Sequence, residues 1–200
     1  IVLWKIESVK VSHERWQRAQ KSELDEYRDH SVENSFSNFQ KVFEYLKLDP
    51  KTSFKGKTIL EVASGSVPAL LMCEGVKGTI VEPLMPYWKD QLLKVQEAGF
   101  RLFDKPYEHV IMSDMGIFDE TWFFNCLEHV IDPEFQMKKA MRTSNVIRMF
   151  EPTTGKVSGS HPHSITRQRI INTMGDFGQV YNDNVDKFFQ GECYYGTWVK

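Results

Sequence analysis

The sequence has no excess of positive charge. Its 25 Lys and Arg stand against 27 Asp and Glu, for a net charge of -2 and an isoelectric point near 6.3. Holding a phosphate backbone needs a basic field, so nucleic acid is not an expected partner. Cysteine is scarce as well. Cys73, Cys126 and Cys193 are odd in number, far apart and without CxxC spacing, which excludes a disulfide framework and a thiolate zinc cage and points to a reducing, cytoplasmic setting. No run approaches the ~20 apolar residues of a membrane span, and the first residues carry no signal-peptide pattern, so no membrane association is expected. The chain opens on Ile1 where a complete protein opens on Met, as expected of a sequence whose true N-terminus is missing. Repeats, low-complexity tracts and long linkers are also missing. What remains, 41% hydrophobic and 26% charged residues over 200 positions, suffices for one packed core with a helical extension.

The organising stretch runs from Thr58 to Glu82. Thr58 to Val62 is a bounded apolar run suited to a buried parallel strand. Ala63-Ser64-Gly65-Ser66 follows as a turn whose small side chains leave backbone N–H groups open to a ligand. Pro68 suits the first turn of a short helix, where its missing donor is no loss. Gly75 and Gly78 bracket a second turn, and Thr79 to Val81 forms a second strand with Glu82 at its carboxyl end. A carboxylate about 20 residues past a glycine turn, at the end of the second strand, is where dinucleotide-type folds bind ribose hydroxyls.

ILEVASGS followed by IVEP resembles motifs I and II of the class I S-adenosylmethionine-dependent methyltransferases. Glu61 and Gly65 fit the first motif, whereas Ala63 and Val67 stand where glycines are usual, Val67 in a position to narrow the pocket. Phe118 to Val130, FDETWFFNCLEHV, resembles the fourth strand of the same family and the Leu-Glu-His-Val segment after it. The resemblance covers roughly residues 55 to 180. It implies an α/β fold: a three-layer, Rossmann-like, mostly parallel sheet of seven strands, the last antiparallel. The division it suggests is an N-terminal helical cap over 1–52 and an S-adenosylmethionine-binding domain over 53–200. It further implies that Glu61, Ala63, Ser64, Gly65, Glu82, Pro83 and Asn125 hold the cofactor, with Asp114 and Met115 at the adenine.

Elsewhere the periodicity speaks for itself. Ser12 to Arg15 reads as a helix start, and Phe36, Phe39, Phe43 and Leu46 recur as one face of a helix that Asp49-Pro50 ends. Tyr87 to Ala98 reads as a helix with Trp88, Leu92, Val95 and Leu93 inward and Gly99 as its cap. Glu108 to Met112 reads as a strand, with Ser113 to Gly116 as the loop leaving it. Asp132-Pro133-Glu134 starts a helix in the preferred order of cap, proline and acid, with Phe135, Ala140 and Met141 toward the sheet. Asn145 to Phe150 is a fifth strand, Thr166 caps the helix Arg167 to Met174, and Gln179 to Tyr181 pairs with Glu192 to Val199. A sheet edge ending in Tyr194-Tyr195 leaves the oligomeric state open.

The implied reaction is an in-line transfer of a methyl group to a small-molecule or sugar-like acceptor. The protein supplies alignment and, where the acceptor needs it, proton removal. His129, His161 and His163 are the candidate bases. By resemblance, helices ahead of the first motif cover the cofactor, which makes Trp16, Tyr27 and Arg28 candidates for the acceptor pocket together with Glu128 and Glu151. His-x-His at 161 and 163 invites a metal, but no third ligand lies nearby in sequence, so no metal is expected. Two alternatives stand beside the enzyme. One is a catalytically degenerate S-adenosylmethionine-binding partner or regulatory protein. The other is a nucleotide-sugar or nicotinamide enzyme, which the missing GxGxxG and Tyr-x-x-x-Lys pair disfavour.

Overall fold

The computed structural model describes residues 10–26, 31–182 and 191–200. Two helices come first, α1 (His13–Glu26) and α2 (Val32–Tyr45). Ser12 caps α1 by accepting the Arg15 N–H at 3.1 Å, and Ser31 caps α2 by accepting that of Asn34 at 3.2 Å. α2 ends at Tyr45, ahead of Asp49-Pro50, with Lys47 left-handed beyond it (φ 56°).

Among the described residues the strands are β1 (Thr58–Val62), β2 (Lys77–Val81), β3 (Arg101–Phe103), β4 (Phe118–Phe124), β5 (Ser144–Pro152), β6 (Gly178–Asn182) and β7 (Glu192–Val199). They form one sheet in the order β3-β2-β1-β4-β5-β7-β6, with β7 antiparallel to both its neighbours. Between the strands lie α3 (Lys89–Glu97), α4 (Met112–Met115), α5 (Pro133–Thr143) and α6 (Arg167–Met174).

Alternation along the strands feeds two cores. On one face Leu60, Val62, Phe123, Ile147 and Met149 meet Met137 and Ala140 of α5 and Ile170 and Met174 of α6. On the other, Ile59, Ile80, Trp122, Phe124 and Phe150 meet Val42 and Phe43 of α2 and Val95 of α3. Phe43 stands edge-on to Trp122, with ring centroids 5.6 Å apart, a geometry that aromatic pairs favour. The Arg169 guanidinium donates through two nitrogens to Glu134, at 2.7 and 3.0 Å, and so ties α6 to α5.

The strand expected at Glu108 to Met112 does not form. Pro106 precedes a 3-10 turn over Tyr107–His109, and α4 follows. The third strand is instead the three-residue β3, which begins two residues past the cap at Gly99 (φ 70°) and is too short to show a period. The helix after the first turn is also reduced, to a single 3-10 turn at Ala69–Met72, and α2 covers the same face. Gly78 lies within β2, where a Cβ would come 2.7 Å from the Phe100 ring. Leu93 and Phe135, expected inward, are exposed. Trp88, by contrast, is buried, and Thr166 and Asp132 cap α6 and α5 as expected.

Candidate functional site

The carboxyl ends of β1, β2 and β4 meet in a crevice, as open parallel sheets dictate where the strand order reverses. β1 delivers Ala63 to Ser66. Ala63 takes a left-handed conformation (φ 49°) with its N–H on Val81 O, and Gly65 is likewise left-handed (φ 64°). The Glu61 carboxylate accepts the N–H groups of Ala69 and Leu70 at 2.8 and 2.9 Å, which fixes the exit from the turn. Burial pushes Glu61 up to about 7 against the pull of those two donors.

Glu82 faces the same turn. Its Oε2 accepts the Gly65 N–H and its Oε1 that of Leu84, each at 2.9 Å. Burial, then the neighbouring Glu23, raise its pKa to about 8. Pro83 lines the crevice beside it.

β4 delivers Asn125 (φ 53°) and then Cys126 to Val130. Beneath this loop Glu151 is wholly buried. Its carboxylate accepts the N–H groups of Cys126 and Leu127, and burial pushes it up to about 8. Fully buried and lining neither of the cavities at the crevice, Glu151 supports the loop and does not reach toward an acceptor.

α1 lies across the crevice. The residues of its buried face, Trp16, Ala19, Gln20 and Glu23, recur at intervals of three and four. The Trp16 indole donates to His129 O at 3.1 Å, and Glu23 Oε2 lies 3.4 Å from His129 Nδ1. Burial alone would lower the His129 pKa, but Glu23, then Glu128 and Glu151, raise it to about 9. Glu23 and His129 stand between two small cavities, of about 20 and 80 Å³. Trp16, Glu82, Pro83, Pro106 and Tyr107 line the first, and Ser64, Gly65, Val67, Phe39 and Asn125 the second, while Ala63 borders both. Each is small beside a nucleoside, since about 10–15 Å³ of such space holds a single water.

The sequence-predicted residues divide accordingly. Glu61, Ala63, Ser64, Gly65, Glu82, Pro83, Asn125, Trp16, Glu128 and His129 come together, with Glu61 beneath the turn. Tyr27 and Arg28 lie outside the described residues. Asp114 and Met115 are at the opposite end of the sheet: Met115 borders a hollow with Thr58, Lys77 and Thr79, at the amino ends of β1 and β2. They were misplaced because the third strand was. The loop after β3, with Pro106 and Tyr107, borders the crevice instead. Buried His163 turns its Nε2 to Ile131 O at 3.2 Å, so it braces the loop and does not face an acceptor.

His161 joins His129, ring centroids 4.7 Å apart and nearly perpendicular, with its Nε2 3.5 Å from Glu128 Oε1. The partners of His161 come from the loop after β4, 32 and 33 positions earlier, so no neighbour in the sequence announces them. Sequence reasoning missed Glu23 and Gln20, whose signal was a pair of polar residues in register with the buried Trp16 and Ala19 on one helical face.

No protein-family model matches the chain, and comparison with curated proteins gives no match. Solved structures do match. A 1,6-didemethyltoxoflavin-N1-methyltransferase from Burkholderia thailandensis, with bound 1,6-didemethyltoxoflavin and S-adenosylhomocysteine, aligns over 98% of this chain and 93% of its own at 12% identity, TM-score 0.61. A SAM-dependent methyltransferase from Aquifex aeolicus aligns over 92% and 98% at 14% identity, TM-score 0.57. EvdMO1 aligns over 93% of this chain but only 47% of its own length, at 17% identity and TM-score 0.53. The fold is therefore the Rossmann-like α/β fold of class I S-adenosylmethionine-dependent methyltransferases.

Proposed function

We propose that the chain is an S-adenosylmethionine-dependent methyltransferase that acts on a small-molecule or sugar-like acceptor by in-line displacement. The observation that carries this reading is the charge and shape of the crevice. An open small-residue turn faces Glu82 across β1 and β2, and three further carboxylates, from Glu23, Glu128 and Glu151, surround one histidine. Neither cavity is lined by Lys or Arg among the described residues, so the site offers no strong cation to the pyrophosphate of a nicotinamide dinucleotide.

When bound, S-adenosylmethionine supplies an electrophilic methyl group on a sulfonium sulfur. Glu82 has two oxygens at the end of β2, suited to accept from the two ribose hydroxyls. Ser64 and Gly65 leave room for the amino-acid portion: a Cβ built on Gly65 meets nothing within 4 Å. Pro106 and Tyr107 stand where the adenine would lie. Asn125 and His129 border the space in which an acceptor must be aligned, and alignment is the larger part of such catalysis. Glu23 must leave the crevice for the cofactor to enter, so α1 acts as a cover that opens on binding.

The acceptor class rests on the balanced charge of the chain, and it accords with a toxoflavin precursor being the acceptor of one structural neighbour. One observation favours the degenerate partner instead: both cavities are small. Calorimetric titration separates the readings. The enzyme reading predicts micromolar binding of S-adenosylhomocysteine, about -8 kcal/mol, weakened at least tenfold by Glu82→Gln, and no NADH binding. Failure of S-adenosylmethionine and S-adenosylhomocysteine to bind supports the degenerate partner, and NADH binding supports the nicotinamide enzyme.

A further inference from the structure

We infer that Glu128, His129 and His161 form a binding site for a divalent transition-metal cation, of the zinc or cobalt type, beside the methyl-transfer crevice. One ligand atom of each lies within 4.8 Å of the others. Glu128 Oε1 is 3.8 Å from His129 Nε2 and 3.5 Å from His161 Nε2. Ligands about 2.0–2.2 Å from a tetrahedral metal stand roughly 3.4 Å from one another, so small side-chain adjustments would close the set.

Independent features point the same way. Glu128 and His129 are buried, 5% and 7% exposed, yet Glu128 Oε2 has no hydrogen-bond partner. Buried polar atoms without partners are uncommon in folded proteins, and an ion is one of their ordinary explanations. Gly155 leaves space for the set, because a Cβ there would lie 2.7 Å from Glu128 Oε2. Two imidazoles and one carboxylate suit zinc, cobalt, iron or manganese better than magnesium, which prefers oxygen. Three protein ligands leave positions open for an acceptor oxygen.

The role follows from the proposed methyltransferase function and rests on it, although cation binding itself does not. A hydroxyl bound through its oxygen loses its proton to solvent more readily on the metal. That oxygen then bonds to the methyl carbon as the carbon–sulfur bond breaks, and the sulfur keeps the electron pair as a neutral sulfide. The acceptor class is thereby narrowed to hydroxyl-bearing molecules.

The test is titration of the chelator-stripped full chain with cobalt chloride, read by visible absorption, with S-adenosylhomocysteine binding measured separately on the same samples. One cobalt per chain is expected, with the tetrahedral or five-coordinate spectrum of nitrogen and oxygen ligands. His161→Ala and Glu128→Gln should each weaken it at least tenfold, and His109→Ala, an exposed histidine elsewhere, should not. His161 is one-third exposed in its side chain, so its removal leaves the core intact, and circular dichroism checks this. Absence of a cobalt spectrum, or a spectrum unchanged in His161→Ala, overturns the cation site. Loss of S-adenosylhomocysteine binding alone overturns the cofactor reading and leaves the cation site standing.

Discussion

Ala63→Gly should stabilise the protein, against the usual direction of an alanine-to-glycine change. Ala63 is held at φ 49°, and a left-handed conformation costs a residue with a Cβ roughly 1–2 kcal/mol. Glycine removes that cost but loses about 0.5–1 kcal/mol through the freedom of the unfolded chain. The methyl group is only partly buried, so little packing is lost, and the net gain is roughly 0.5 kcal/mol. For a chain of this size that raises Tm by about 1–2 °C. Ala63→Val should move the other way, since a β-branched residue is a genuine outlier in this conformation, and a loss of about 2 kcal/mol lowers Tm by roughly 4–8 °C. Ala63 also borders both cavities, so the glycine variant joins them and should bind S-adenosylhomocysteine several-fold more tightly. Differential scanning fluorimetry and calorimetric titration read the two effects. A lower Tm for Ala63→Gly, with unchanged affinity, would refute both the strain and the placement of the methyl group.

Rising pH should destabilise the protein without ligand, most steeply between about pH 6.5 and 8. Glu82 and Glu151 are raised to about 8 and His129 to about 9, so the folded state holds these protons more tightly and the stability they confer is lost as pH climbs through those values. The lowered His161 and His163 oppose this only up to their ordinary 6.5, and each retained proton is worth at most about 1.4 kcal/mol per pH unit. A Tm that stays flat or rises across that interval contradicts the assignment. Glu23→Gln should bring the His129 titration down toward the ordinary histidine range, followed by NMR of its ring protons; an unchanged midpoint denies the Glu23 contact. Trp16→Phe removes the donor to His129 O and, at about 1 kcal/mol per hydrogen bond, should speed S-adenosylhomocysteine association roughly fivefold in stopped flow; an unaltered rate means α1 is not the gate. Arg169→Leu leaves Glu134 buried without its partner, and a loss of about 3 kcal/mol is expected by urea denaturation; a change below 1 kcal/mol contradicts that account of the α5–α6 junction.

The residues that speak in the sequence are those whose chemistry is local. Thr58 to Gly65 and the acid at Glu82 were legible because a buried strand, a small-residue turn and a strand-end carboxylate are each written in contiguous residues. Asp132 and Thr166 were legible as caps for the same reason. β3 was not, because three residues, one of them the exposed Arg101, carry no period, and the error displaced the adenine position onto Asp114 and Met115. Glu151 and His163 look like free functional groups in a linear string and prove to be braces, since only the fold reveals the backbone groups they engage. The meeting of His161 with Glu128 and His129 depends on a loop folding back across the sheet, which spacing along the chain does not encode.

A structure determined with S-adenosylhomocysteine bound tests the central claim most directly. The account predicts both ribose hydroxyls within about 3 Å of the Glu82 carboxylate, the amino-acid tail against Ser64 and Gly65, and Glu23 withdrawn from His129. The nucleoside bound elsewhere, or Glu82 still holding Gly65 and Leu84 with Glu23 in place beside His129, would contradict it.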